Sequence, residues 1–187
     1  RSFKTSKTYA KISIVDPELT VTVPKRITAY TGIDVFFHAM EAFVGKRNQP
    51  ISDVLALEAI RLVFQNLLGA YEDGQDLKYR EPMAWASTLA GMAINHAGTC
   101  GIHGMGHSLS GVFNIAHGES LSAVCLAFMR YNIPAAQDRF AKVAEAMDMD
   151  ITGLSVNKAA EKALEGLEQL LDKLHLPKSI SELGIDR

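Results

Sequence analysis

The sequence predicts a mainly α-helical bundle. Three observations carry this. Apolar residues recur at helical spacing in successive stretches from Pro24 to Leu174. Pro, Ser and Gly punctuate those stretches as helix starts and stops. Extended character is confined to the stretch before Pro24, where "KISIV", residues 11–15, alternates as a short strand would.

Taken in order, "KISIV" reads as a short strand, and "DPELTVTVP" as a loop or second extended piece ended by Pro24. "PKRITAYTGIDVFFHAMEAFVG" reads as a helix with Pro24 near its start, Gly45 as its stop and Gly32 as an interruption. "SDVLALEAIRLVFQNLLGAYEDG" predicts a helix capped by Ser52, with Leu57, Ile60, Phe64, Leu67 and Leu68 on one face. "REPMAWASTLAGMAINHAG" is apolar nearly all round and predicts a buried central helix. Further helices are expected from Cys100 to about Val112, His117 to Tyr131 and Pro134 to Met147. In "SVNKAAEKALEGLEQLLDKL", Ala160, Leu164, Leu167, Leu171 and Leu174 face inward. The end, "HLPKSISELGIDR", reads as a loop and one helical turn. The predicted organisation is an extended arm over residues 1–23 and a helical domain over 24–187.

Composition narrows the class. The 187 residues suffice for one domain with a sizeable core. A net charge of −2 gives no electrostatic reason to expect nucleic acid or an anionic membrane. The basic N-terminus lacks the apolar run of a signal peptide. The uncharged stretch from Pro82 to Gly118 is broken too often by polar residues for a transmembrane helix. Cys100 and Cys125 show no disulfide spacing and read as buried reduced thiols, which points to the cytoplasm.

That uncharged stretch ends in "CGIHGMGHSLSGVFNIAHGES", which gathers three histidines. His103 and His107 are four apart, so both rings project from one helix face. Asp34 and His38 repeat this spacing upstream. His117 lies roughly 21 Å from His103 along one continuous helix. It joins them only if the chain turns near Gly111, Asn114 and Gly118. One Asp and three or four His can then converge, a donor set suited to Fe(II) or Zn(II). Each pair also has an ordinary reading, as satisfied core histidines or a helix-face ion pair. Glu41 orients a ligand ring or is an exposed helix carboxylate, and both readings stay open. His96 reads as core or as support for a ligand, His175 as surface, and Trp85 and the methionines as core.

Several chemistries are disfavoured. "HGMGH" has Gly104 where HExxH needs its Glu. The His-Asp doublet, ExxH pairs, the P-loop, GxGxxG and GxSxG do not occur.

"TGIDVFFHAMEAFV" and "GIHGMGHSLSGVFNIAHG" resemble, in order and separation, the two signatures of the group III iron-containing alcohol dehydrogenases. The resemblance extends over most of the chain. It implies the helical metal-binding domain of the dehydroquinate synthase-like fold, cut at both ends. "KISIVDPELT" would be the last strand of a preceding nucleotide-binding domain. Carried over residue by residue, it makes Asp34, His38, His103 and His117 the metal ligands. His107 would lie between metal and nicotinamide and help relay the alcohol proton. It departs from the family at Val35-Phe36-Phe37 and at Ala116, where smaller residues and Pro are usual. The implied cofactors are a divalent metal, Fe(II) or Zn(II), and NAD(P) in the full-length protein. The implied activity is hydride transfer between a small primary alcohol or diol and NAD(P), with this chain alone inactive. A homo-oligomer stays open, as do a helical metal-dependent hydrolase and a non-catalytic helical module.

Overall fold

The computed structural model describes residue 5 and residues 7–185; the first four residues of the predicted arm, residue 6 and the last two residues lie outside it. Among the described residues seven α-helices follow one another: α1 Lys25–Val44, α2 Pro50–Glu72, α3 Leu77–Ala97, α4 Gly101–Phe113, α5 His117–Asn132, α6 Gln137–Ala146 and α7 Val156–Lys173. Short 3₁₀ turns occupy Pro17–Thr20, Ile133–Ala135 and Ile180–Leu183. Helix α1 is the hub and packs against α2, α3, α4, α5 and α6. Pairs α4/α5 and α6/α7 complete the bundle.

Helix α1 is central because its sequence is apolar on most sides. Ile33, Phe36, Phe37, Met40 and Phe43 are almost completely buried. Gly32 does not interrupt it. A Cβ at Gly32 would lie 2.1 Å from Cδ1 of Leu67, so the residue marks where α2 crosses closely. Helix α2 begins two residues before Ser52. Pro50 is its first residue, and Ser52 sits inside the first turn, accepting the Gln49 N–H at 2.9 Å. A Ser three places into a helix shows the same residue pattern as a cap. The face of α2 that is most buried is Ala56, Ala59, Ile60, Val63 and Leu67, while Leu57, Phe64 and Leu68 are half-buried.

Helix α3 differs most from expectation. Asp76 caps it, accepting the Lys78 N–H at 2.9 Å. It buries one side only, through Ala86, Leu89, Ala90, Ala93 and Ala97. Trp85 is 52% exposed, and Met92 and His96 are exposed as well, so none of the three is core. Small alanines let the buried side approach α1 and α2 and leave the large residues outside. The predicted 134–147 helix divides at Ala136, where φ −143 and ψ 39 leave the helical region. Helix α7 faces inward along the expected stripe.

Residues 11–15 do not form the expected strand, and no strand occurs among the described residues. Ile12 and Ile14 are 83% and 87% exposed. A strand needs a neighbour to pair its backbone groups, and the other extended candidate, "DPELTVTVP", forms a 3₁₀ turn at Pro17–Thr20 instead. The arm is held instead by the buried Arg80 of α3. Its guanidinium donates to the Val23 and Gly74 carbonyls and to Thr28 Oγ1 at 2.9 Å. Among the described residues no helix is long and apolar enough to cross a membrane.

Candidate metal centre

The turn that the histidine spacing required is present. Helix α4 ends at Phe113, Asn114 takes the left-handed conformation at φ 54, and α5 begins at His117. Asn is among the few residues that adopt this conformation readily. Gly118 completes the fit. A Cβ there would lie 2.3 Å from the Tyr30 carbonyl oxygen, so the start of α5 rests directly on the backbone of α1.

This brings Asp34, His38, His103, His107 and His117 together. Oδ1 of Asp34 lies 3.1 Å from His103 Nε2, 3.6 Å from His117 Nε2 and 3.7 Å from His38 Nε2. Asp34, His103 and His117 each present a ligand atom within 4.8 Å of the others, a group able to hold a metal ion. The His38 ring stacks on His103 at 4.5 Å between centroids. His107 is exposed, stacked on His117 at 5.1 Å and edge-on to His103 at 5.7 Å. The cluster borders a cleft of about 440 Å³, with Thr31 and Val35 of α1 facing Met83, Ser87 and Thr88 of α3.

Glu41 is fully buried, which excludes its reading as an exposed carboxylate. It accepts the Ile102 N–H at 2.7 Å and faces Nδ1 of His103. Three and seven residues from His38 and Asp34, it shares their face of α1. An acid inside an apolar helix, on the face of a candidate ligand pair, is the signal that picks it out. Sequence reasoning did not single out Arg80, and it placed Gly118 near the turn without showing its contact. Cys100 is exposed rather than buried, but burial of its thiol and the charge of Glu41 push it up to about 12. Cys125 is buried as expected, and both cysteines are free.

The electrostatics separate the imidazoles. Burial disfavours charge on His103, yet the hydrogen bonds and charges of Asp34 and Glu41 outweigh it and raise the ring to about 9. Burial opposes ionisation of Asp34 and Glu41, but the His103 hydrogen bond with the charges of His38, His103 and His117 holds Asp34 below the usual carboxylate range, and His103 with the Cys100 thiol and the Ile102 N–H does the same for Glu41. Burial lowers His38 and His117, and Asp34 only partly offsets it.

These directions fix a pH profile for the chain in chelator. The raised His103 stabilises fully below its ordinary 6.5, and this is lost as pH rises through about 9. The lowered His38 and His117 withdraw stability as pH falls below 6.5, and the depressed Asp34 and Glu41 withdraw more in acid. Urea unfolding from about pH 5 to 10 is expected to show maximal stability near pH 6.5. A midpoint flat or still rising toward pH 9 would contradict the arrangement.

The donor set fits a divalent transition metal. One carboxylate and neutral imidazoles suit Fe(II) or Zn(II), and the cluster presents them from three helices to one point. The sequence profile of the Fe-containing alcohol dehydrogenase family, C-terminal part, matches residues 28–187. The chain is 41% identical over 174 residues to 1,3-propanediol dehydrogenase of Klebsiella pneumoniae, covering 93% of the chain and 45% of that protein. It is 36% identical over 174 residues to NAD-dependent methanol dehydrogenase of Bacillus methanolicus, covering 93% and 46%. Its structure superposes with a TM-score of 0.93 on an archaeal halo-thermophilic alcohol dehydrogenase from a Red Sea brine pool. That match has 39% identity and covers 98% of this chain and 47% of the other. The chain thus spans about half the length of the relatives it matches. By profile, identity and fold, the chain belongs to the Fe-containing alcohol dehydrogenase family.

Proposed function

We propose that this chain is the metal-binding part of a dehydrogenase that transfers a hydride between a small primary alcohol or diol and NAD(P). The observation that carries the proposal is the convergence of three Nε2 atoms on the carboxylate of Asp34 at the edge of a cleft. The similar relatives named for 1,3-propanediol and methanol support the substrate class. Asp34, His38, His103 and His117 would hold an Fe(II) or Zn(II) ion, with residues 24–187 as the metal-binding domain. Bound there, the ion supplies Lewis-acid polarisation of the substrate oxygen, and NAD(P) supplies the hydride acceptor or donor.

The protein's own groups do the rest. Asp34 contributes one negative charge, so the assembled site keeps a net positive character that favours an alkoxide. Val35 and Met83 give the cleft apolar walls, and Ser87 and Thr88 give it hydroxyls that can orient a second alcohol group. A ring nitrogen of the exposed His107, beside His117, takes the hydroxyl proton during oxidation and returns it during reduction. The free cysteines fit a reducing compartment, and we place the protein in the cytoplasm.

Metal analysis with a nicotinamide absorbance assay tests the reading, on this chain and on protein extended upstream to the length of its relatives. The chain should bind metal without turnover. The longer protein should reduce short aldehydes at the expense of NADH or NADPH. Metal binding without reduction of any aldehyde in a broad panel would refute the dehydrogenase. Metal-stimulated phosphatase or esterase activity in its place would point to a hydrolase.

A further inference from the structure

Helix α4 has no N-terminal side-chain cap of its own. Its N-cap residue, Cys100, makes no side-chain capping bond. The first-turn donors go to a different helix. Oε1 of Glu41 accepts the Ile102 N–H at 2.7 Å, and Oε2 accepts the His103 N–H at 3.3 Å. The same Oε2 faces Nδ1 of the His103 ring. A carboxylate 0% exposed is therefore engaged by the first turn of α4, with the Cys100 thiol as a further hydrogen-bond partner. The two nitrogens of an imidazole point away from each other, and the other nitrogen of His103, Nε2, points at Asp34 at 3.1 Å.

We propose that Glu41 is a positioning residue for His103: one carboxylate caps α4 and holds the ring so that Nδ1 carries the proton and Nε2 offers its lone pair to the metal. The inference rests on the metal reading above. Its logic is that of a carboxylate–histidine–metal relay, in which the partner of the distal nitrogen fixes tautomer and rotation. Glutamate is needed because both of its oxygens accept. A glutamine has one acceptor and one donor. If its NH₂ faced Ile102, the cap would be lost. If its NH₂ faced Nδ1, the ring proton would move to Nε2 and block the ligand position.

The test is zinc titration of the metal-free chain against a chromophoric chelator, with circular dichroism to confirm folding. Glu41→Gln is expected to bind zinc about 10–100-fold more weakly. Asp76→Ala removes a comparable cap from α3, and is expected to leave zinc affinity unchanged. Long-range ¹H–¹⁵N spectra of the zinc-loaded wild type are expected to place the His103 proton on Nδ1. Unchanged zinc affinity in folded Glu41→Gln overturns the proposal. So does an equal loss in Asp76→Ala, which would make the effect one of general stability. A proton on Nε2 overturns it as well, and the spectra decide alone if Glu41→Gln does not fold. Each of these leaves the metal reading intact if the wild type binds zinc; a wild type that binds none removes both.

Discussion

The His103→Ala chain is expected to lose zinc binding and to melt well below the wild type even in chelator. His103 is the only candidate ligand of the site that is buried, and it lies between two acids. Its removal deletes a donor and leaves Glu41 in the interior with the backbone N–H groups of residues 102 and 103 and the Cys100 thiol as its remaining partners. Breaking a buried ion pair from one side costs about 3–5 kcal/mol. His117→Ala should behave differently, because its side chain is 38% exposed and faces Asp34 at the edge of the cleft. It should lose zinc affinity with little change in melting. Thermal melts and zinc titrations of the two variants separate the roles. A His103→Ala chain that melts with the wild type would show that the ring is not the partner that Glu41 requires.

Gly118→Ala is expected to weaken zinc binding at least 10-fold, although it touches no ligand atom. The added Cβ would lie 2.3 Å from the Tyr30 carbonyl oxygen and 2.7 Å from its Cα. Backbone cannot rotate away as a side chain can, so α5 must withdraw from α1. His117, the preceding residue, withdraws with it from Asp34. Overpacking of this kind costs about 1–3 kcal/mol. Gly104→Ala is the matched control, since a Cβ there meets nothing within 4 Å. That variant should bind zinc normally and gain slightly in helix stability. Equal zinc affinity in both alanine variants would show that the Gly118 contact does not set the position of His117.

Periodicity made the helices legible, because each amphipathic or apolar stretch repeats at the helical period over several turns. Their ends were less legible. Ser52 looks like a cap but sits inside the first turn of α2, and a capping box leaves the two assignments alike in sequence. The strand over residues 11–15 was the reading of a local pattern whose stability depends on a distant partner. Trp85 was misplaced because hydrophobicity says that a residue can be buried, not that the packing has room for it. Alanines on the opposite side of α3 used that room. At the site, the i, i+4 pairs and the need for a turn could be read from spacing. The distances from three imidazoles to Asp34 could not, because they depend on how α4 and α5 dock on α1. Glu41 lay between two readings for the same reason: its i+3 spacing from His38 gives its face, and only the docking of α4 gives its partner.

The borrowed cap on α4 has a consequence for dynamics. Gly101, Gly104, Gly106 and Gly111 make its 13 residues a poor autonomous helix. Its first turn is completed only when the chain is seated against α1. Opening of this segment therefore withdraws His103 and releases the carboxylate of Glu41 in the same event. In hydrogen-exchange terms, α4 is expected to open as a unit that carries His103 with it, at a lower free energy than α1, which carries Asp34 and His38. A cation bound to the closed form draws that unit shut by mass action, so occupancy is expected to appear as added protection of the α4 amides.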